Sequence, residues 1–308
     1  RGRRSVGRHQ YVLDFANPAV VENLFEQMRR VIDETQLDYI KWDMNRDITE
    51  AYSAYLAQTG RPQGEFFHRY IQGVYTLYAK LLTAYPDVLI EGCAGGGGRF
   101  DLGILFYSPQ IWVSDDSDAV ERLRIQFGTS LGYPLSAMSN HLTKVPNDQV
   151  GRTTPLAMRY NVATFGVLGY ELDLTKLTPA TLAALKQQIV QYRQNQELIL
   201  HGQFELLPPT GTDPNEFAWA VVNAERTEAL VGFYRLLATP GKTVSDRLPL
   251  PFLNGNQQYQ VEGQTVPISG SVLKHVGLPL PVQFNGVNPD TATLKGDYQS
   301  CLLHLQAL

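Results

Sequence analysis

Short apolar runs alternate with longer segments of helical periodicity between residues 12 and 200, and this alternation constrains the fold more than any other feature. Strand-like runs lie at residues 37–43, 88–92, 110–114 and 167–174, and we expect a further short strand near Leu135. Helical segments lie at 18–32, 63–84, 154–165 and 178–200, and we expect another helix to start near Asp118. Asn17 followed by Pro18 is a typical helix start. The alternation predicts parallel β/α units.

The pattern changes after residues 201–216, a stretch rich in Pro, Gly and Thr. Short alternating runs such as 217–223 and 229–237 follow, separated by turn clusters that include residues 253–256. Runs of this kind predict an antiparallel β domain, and we expect no helix in it. We therefore place an α/β domain at residues 1–205 and an all-β domain at 206–308.

The composition excludes several classes of function. Hydrophobic residues make up 44% and charged residues 18% of the chain, and the net charge of −4 does not suggest a nucleic-acid partner. Cys93 and Cys301 lack the spacing of a zinc site or a disulfide framework, so we expect no metal. No apolar run approaches the roughly 20 residues of a membrane helix, and no signal peptide is visible. We therefore expect no membrane partner and a cytoplasmic location.

Residues 41–47, KWDMNRD, end one of the predicted strands. Lys41, Asp43 and Asn45 alternate, so their side chains are expected to project to the same side. In parallel β/α barrels, the carboxyl ends of the strands carry the chemistry. An acid beside a base at this place indicates a functional site, although a salt bridge at a strand end is the structural alternative.

Residues 111–119, IWVSDDSDA, place three aspartates after another strand. Such a cluster is costly unless the acids bind a cation, cap a helix or take part in chemistry. Asp118 is placed to begin a helix that Ser117 could cap, so it has a structural role. Asp115 is therefore the better candidate for a role in chemistry. The spacing of a calcium loop is absent. Carboxylates from two strands fit glycoside hydrolysis, in which retaining enzymes hold them about 5–5.5 Å apart.

A glycine-rich loop, residues 91–103, lies between these two motifs. It lacks the GK[ST] ending of a phosphate-binding P-loop, so nucleotide binding is not expected. Cys93 has no histidine spaced to activate it as a nucleophile. Trp112 is either a platform for a sugar ring or a core residue.

Together these segments resemble glycoside hydrolase family 36, the microbial α-galactosidases of the melibiose and raffinose type. The matching segments are residues 7–15, 39–53, 92–123 and 171–178. The resemblance implies the C-terminal part of a (β/α)8 TIM barrel, strands four to eight, followed by an antiparallel β-sandwich domain. It also implies a retaining enzyme without a cofactor that removes terminal α-D-galactosyl residues from melibiose, raffinose and stachyose through a covalent galactosyl intermediate.

The resemblance assigns roles to individual residues. Asp43 is expected to be the nucleophile and Asp115 the general acid/base. The Cys-x-x-Gly turn is expected near the 2-hydroxyl of galactose, which disfavours N-acetylgalactosamine. The expected sugar contacts are Arg8, Lys41, Asn45, Cys93, Gly96 and Trp112.

The chain starts without methionine, and by the resemblance the first barrel strands and an N-terminal β-sandwich belong to a missing part of the same enzyme. That part holds paired aspartates for the 4- and 6-hydroxyls, so we expect residues 1–308 alone to be a poor catalyst. A homo-oligomer is a further expectation. The alternatives are an α-N-acetylgalactosaminidase or an α-galactosyl transferase on the same scaffold, or a noncatalytic sugar-binding protein.

Overall fold

A computed structural model describes residues 6–7, 9–45, 47–240, 247–281 and 294–308. The chain divides into two compact units, Arg1–Asp115 and Asp116–Leu308. Within the described residues, no helix is long and apolar enough to cross a membrane.

The first unit contains three short parallel strands, β1 (Tyr39–Asp43), β2 (Leu89–Cys93) and β3 (Gln110–Trp112). β2 pairs with β1 on one side and with β3 on the other. All three strands lie within the predicted runs or within one residue of them. The helices of this unit are α1 (Pro18–Thr35), α2 (Ala54–Gln58), α3 (Phe66–Ala84) and α4 (Leu102–Leu105), of which α2 and α4 were not predicted.

The first helix begins as the sequence indicates. The Asn17 side chain accepts a hydrogen bond from the Ala19 amide at 3.0 Å, and Pro18 occupies the first turn. Its buried residues Val21 and Ile32 belong to the core of the first unit, which includes the buried face of α3 and reaches Ile90 of β2. Helices therefore cover one face of the strands.

Burial alternates along β1 and separates its two faces. Ile40 and Trp42 pack against the core of the first unit, and the Trp42 ring stacks on Tyr78 with 4.3 Å between ring centroids. Lys41 and Asp43 are exposed on the opposite face. Because successive side chains in a strand point to opposite sides, packing of the apolar residues presents the polar ones on the uncovered face.

The second unit begins with further β/α elements. Its parallel strands are β4 (Met138–Thr143) and β5 (Val167–Glu171), and its helices are α5 (Ala119–Ser130), α6 (Leu156–Ala163) and α7 (Pro179–His201). The strand expected near Leu135 starts at Met138 instead. Residues Leu135–Ala137 form a 3-10 turn in which the Ala137 amide donates to the Pro134 carbonyl, so that amide is not available to a strand ladder.

An antiparallel β domain follows, as predicted. Its strands are β6 (Gln203–Leu207), β7 (Glu216–Val222), β8 (Glu228–Arg235), β9 (Arg247–Leu248), β10 (Gln258–Val261), β11 (Ile268–Ser269), β12 (Leu278–Pro279) and β13 (Gln299–Ala307). A six-stranded sheet has the order β11, β10, β13, β8, β7, β6, and a two-stranded sheet pairs β12 with β9. Apolar residues of both sheets share one core.

Two features of this domain differ from the prediction. β6 lies inside the Pro-, Gly- and Thr-rich stretch 201–216, in which no strand was predicted, because Phe204–Leu207 pair with β7 despite the prolines that follow them. A short helix, α8 (Gly270–His275), lies where no helix was expected. The Ser269 side chain caps α8 by accepting from the Val272 amide, and six residues are too few to show a helical period in the sequence.

Candidate active site

The residues singled out in the sequence converge in the first unit, at the carboxyl ends of β1, β2 and β3. Asp43, the last residue of β1, lies beside Cys93, the last residue of β2, in the parallel register. Asp115 follows the end of β3 by three residues and is exposed. The parallel strands therefore bring together two carboxylates and a thiol, each of which is more than 20 residues from the other two in the sequence.

Cys93 lies between the two acids. Its thiol donates to Oδ1 of Asp115 over 3.9 Å, and Asp43 is its partner in the parallel register of β1 and β2. Cys93 is 4% exposed, and burial, together with Asp43, raises the pKa of its thiol to about 12. The group is consequently a neutral hydrogen-bonding thiol at physiological pH, not a thiolate nucleophile.

Asn45 links the end of β1 to the glycine-rich loop. Its Nδ2 donates to Oδ2 of Asp43 at 2.6 Å, and its Oδ1 accepts from the Gly95 amide at 2.7 Å. The Met44 amide also donates to the Cys93 carbonyl at 3.0 Å. One amide side chain thus orients the Asp43 carboxylate and fixes the adjacent turn.

Gly96 brings that turn against the segment before Asp115. Its φ of +79° lies in the left-handed region, and a Cβ at this position would lie 2.5 Å from the Ser114 Cα and 2.8 Å from the Asp115 amide nitrogen. Only a residue without a side chain fits this approach. The glycine-rich loop therefore supports the backbone that carries Asp115.

Lys41 contacts two buried residues, one on β2 and one on β3. Its ammonium is 3.8 Å from Oε1 of Glu91 and 4.7 Å from the centroid of the Trp112 ring. A cation over an aromatic face is a favourable contact. Trp112 is only 3% exposed, so its burial favours the core interpretation over an open platform for a sugar ring.

Glu91 was missed in the sequence. It is buried in β2, where Tyr39 donates its hydroxyl proton and Gln110 donates through Nε2 at 3.2 Å to Oε2. The signal that could have found it is an acidic residue inside the apolar run 88–92, because buried glutamates are rare unless they are paired.

The remaining predicted residues lie elsewhere. Arg8 is outside the described residues. Asp116 and Asp118 belong to the second unit, where Asp118 caps α5 by accepting from the Val120 and Glu121 amides, so its structural role is as predicted. The cap is Asp118 itself and not Ser117, whose hydroxyl instead accepts from Nδ2 of Asn147 at 3.1 Å. In the described part of the chain, no cluster of three or more His, Cys, Asp or Glu residues could hold a metal ion.

Comparison with known proteins finds two matching family models. The model described as Melibiase matches residues 1–202, and that described as Glycosyl hydrolase family 36 C-terminal domain matches residues 216–305. Among curated proteins, Alpha-galactosidase 1 of Pediococcus pentosaceus is 41% identical over 304 residues, which are 99% of this chain and 39% of that protein. The chain thus spans about two fifths of the length of this curated relative.

Solved structures give the same result. The α-galactosidase from Lactobacillus brevis superimposes with a TM-score of 0.92 at 44% identity, covering 100% of this chain and 40% of that one. A variant of the α-galactosidase AgaA from Geobacillus stearothermophilus in complex with stachyose has a TM-score of 0.90 at 40% identity, covering 99% and 40% of the respective chains. A second variant of that enzyme was solved with raffinose, with a TM-score of 0.87. These matches confirm the predicted fold class, part of a (β/α)8 barrel followed by an antiparallel β-sandwich.

Proposed function

The chain belongs to glycoside hydrolase family 36, and from this membership we propose that the protein is a retaining α-galactosidase. Its substrates are oligosaccharides with a terminal non-reducing α-D-galactosyl residue, such as melibiose, raffinose and stachyose. The complexes of similar α-galactosidase variants with stachyose and raffinose support this substrate class. The observation that carries the proposal is the position of Cys93 between the two acids: Asp43 is its register partner, and Asp115 accepts from its sulfur.

In the proposed mechanism, Asp43 attacks the anomeric carbon while Asp115 donates a proton to the glycosidic oxygen. The aglycone leaves and a covalent galactosyl intermediate forms on Asp43. Asp115, now ionised, then takes a proton from water, which attacks the anomeric carbon and releases galactose with its α configuration retained. The hydrogen bond from Asn45 to Oδ2 of Asp43 supports this assignment, since it orients the carboxylate and leaves Oδ1 for the attack.

The sugar ring is proposed to lie over the strand ends that carry these acids. Lys41 and Cys93 supply an ammonium and a neutral thiol for ring hydroxyls, and Gly96 lets the turn pack closely against the backbone that carries Asp115. The proposed sugar contacts are Lys41, Asn45, Cys93 and Gly96, with Arg8 as a further contact outside the described residues. The buried Trp112 is proposed to act through the Lys41 ammonium above its ring. Barrel and β-sandwich are proposed to meet near residue 205, which agrees with family matches that end at 202 and begin at 216.

Hydrolysis of p-nitrophenyl α-galactoside by the full-length parent enzyme tests the two roles separately. Asp43→Ala is expected to lower kcat by about 10³-fold or more, because the covalent step is lost. NMR of the first product is expected to show the α anomer for the wild type. With azide present, Asp43→Ala should give β-galactosyl azide, because azide enters on the face that Asp43 vacates. Asp115→Ala should give the α azide by attack on the covalent intermediate.

Asp116→Ala is the matched control, because it removes the neighbouring carboxylate and should leave turnover within a few-fold of wild type. The proposed roles are wrong if Asp43→Ala keeps wild-type activity or if the wild type inverts the anomeric configuration. A sugar acceptor added in excess distinguishes hydrolysis from galactosyl transfer, since a transferase would give mainly the acceptor product.

A further inference from the structure

A row of three polar side chains lies directly below the strand ends of the candidate site. Lys41 on β1 and Glu91 on β2 are partners in the parallel register, and Glu91 is in turn the partner of Gln110 on β3. Gln110 Nε2 donates to Oε2 of Glu91 at 3.2 Å and to the Tyr39 hydroxyl oxygen at 3.0 Å, and the Tyr39 hydroxyl donates to Glu91. Donors from both neighbouring strands therefore fix the Glu91 carboxylate in one place.

The Glu91 side chain is 1% exposed and does not reach the open face, whereas that of Lys41 is 34% exposed. Burial of a carboxylate is costly unless a positive charge compensates it, and the Lys41 ammonium at 3.8 Å supplies that charge. An ammonium group has three N–H donors on a flexible stem. Contacts with Glu91 and with the Trp112 ring restrain the Lys41 ammonium from below and leave it accessible from the open face.

We infer that Glu91 is a positioning residue that holds the Lys41 ammonium over Trp112, where it can donate to a hydroxyl of the bound sugar. This inference rests on the proposed function, because it concerns the same site. A buried ion pair by itself adds little to stability, so holding the ammonium explains the buried acid better than stabilisation of the fold does.

The test compares wild type, Glu91→Gln, Lys41→Met and the double variant with p-nitrophenyl α-galactoside, and measures galactose binding by calorimetry. Glu91→Gln keeps the shape of the side chain and removes its charge. It is expected to lower kcat/KM by about 10- to 100-fold and to weaken galactose binding, because the ammonium loses its fixed position. In the Lys41→Met background, the same substitution should change kcat/KM by less than about threefold, since Glu91 acts through Lys41.

Glu216→Gln is the matched control for stability. Glu216 is ion-paired with the buried Arg235 at 2.7 Å in the β domain. Like Glu91→Gln, its neutralisation breaks an ion pair and should lower the melting temperature, but it should leave kcat/KM unchanged. If Glu91→Gln does not fold, Tyr39→Phe replaces it. That variant removes one donor to the Glu91 carboxylate and should lower kcat/KM at least about threefold, again only when Lys41 is present.

The outcomes separate the two proposals. A full-length wild-type enzyme without α-galactosidase activity overturns the proposed function, and with it the role of Glu91. An active wild type with unchanged kcat/KM in Glu91→Gln overturns the inference alone. Losses in Glu91→Gln and Lys41→Met that multiply in the double variant also overturn it, because the two residues would then act independently.

Discussion

Gly96 determines how closely the glycine-rich loop approaches the segment that carries Asp115. We expect Gly96→Ala to lower kcat by about 10²-fold. The added methyl group would clash with the backbone before Asp115, and relief of that clash would displace Asp115 by up to about 1 Å. The clash is with the Ser114 Cα at 2.5 Å and the Asp115 nitrogen at 2.8 Å, which are backbone atoms and cannot rotate away. Turnover of an aryl α-galactoside, with galactose binding measured in parallel, checks the effect.

Gly95→Ala is the control for backbone strain. Gly95 also has a positive φ, +58°, but a Cβ there meets nothing within 4 Å. Both substitutions therefore share a conformational cost of about 1–2 kcal/mol, and only that at Gly96 adds the clash. Equal kcat values for the two variants would mean that the approach to Asp115 is not what Gly96 provides.

The side chains of the candidate site differ in how far the sequence could predict their positions. Lys41 and Asp43 lie on the same face because the side-chain period of a strand is two, which is visible in seven consecutive residues. The pairing of Lys41 with Glu91 depends instead on the register between two parallel strands, and no local pattern fixes a register across 50 residues. The local sequence was therefore enough to predict the two acids, whereas the contact of Lys41 with Glu91 became visible only in the structure.

Among the elements, length decided which ones the sequence could predict. The helices of 18, 19 and 23 residues, α1, α3 and α7, show several helical turns of apolar spacing and were expected near their observed bounds. α2, α4 and α8 have four to six residues, too few to establish a period of 3.6. β6 was not predicted because its apolar segment is short and is followed by prolines and glycine, which are typical of turns.

The start of α5 combines a helix cap with an ion pair, and two substitutions can separate them. Asp118 accepts from the Val120 and Glu121 amides and pairs with Arg152. Asp118→Asn keeps a capping oxygen and removes the charge, and it is expected to destabilise the protein by about 2 kcal/mol, because a buried charge pair is broken. Asp118→Ala also removes the cap and should cost about 1 kcal/mol more.

Urea unfolding followed by circular dichroism at pH 7 measures both effects. Arg152 keeps a second acidic neighbour, Glu121 at 3.6 Å, so the loss from Asp118→Asn should lie below the full cost of an isolated buried charge. Equal stabilities for the Asn and Ala variants would show that the cap contributes nothing to stability. An Asn variant as stable as wild type would show that the ion pair contributes nothing.

For the whole molecule, buried acids with high pKa values set the response to alkali. Burial raises the pKa of the Cys93 thiol in the first unit and of the Tyr160 phenol in the second to about 12. It also raises the pKa of Tyr78 and, with complete burial, that of Tyr234. The folded protein keeps these groups protonated over a pH range in which the unfolded chain loses their protons, at about pH 8.5 for thiols and about 10 for phenols.

The sign of the resulting pH dependence follows from proton counts. Above about pH 9 the unfolded state binds fewer protons than the folded state, so the free energy of unfolding must decrease as pH rises, by about 1.4 kcal/mol per pH unit for each such group. We expect little contribution from these groups between pH 7 and 8 and a steep loss of stability between about pH 10 and 12, as the phenols join the thiol. Tyr160→Phe should make the decrease in the free energy of unfolding above pH 10 smaller by the contribution of one group, about 1.4 kcal/mol per pH unit. The variant also loses the hydrogen bond to the Gln188 carbonyl, and its stability at pH 7 measures that separate cost. Urea unfolding at half-unit pH intervals measures the slope, and a slope that is identical in wild type and Tyr160→Phe would mean that Tyr160 ionises as easily in the folded protein as in the unfolded chain.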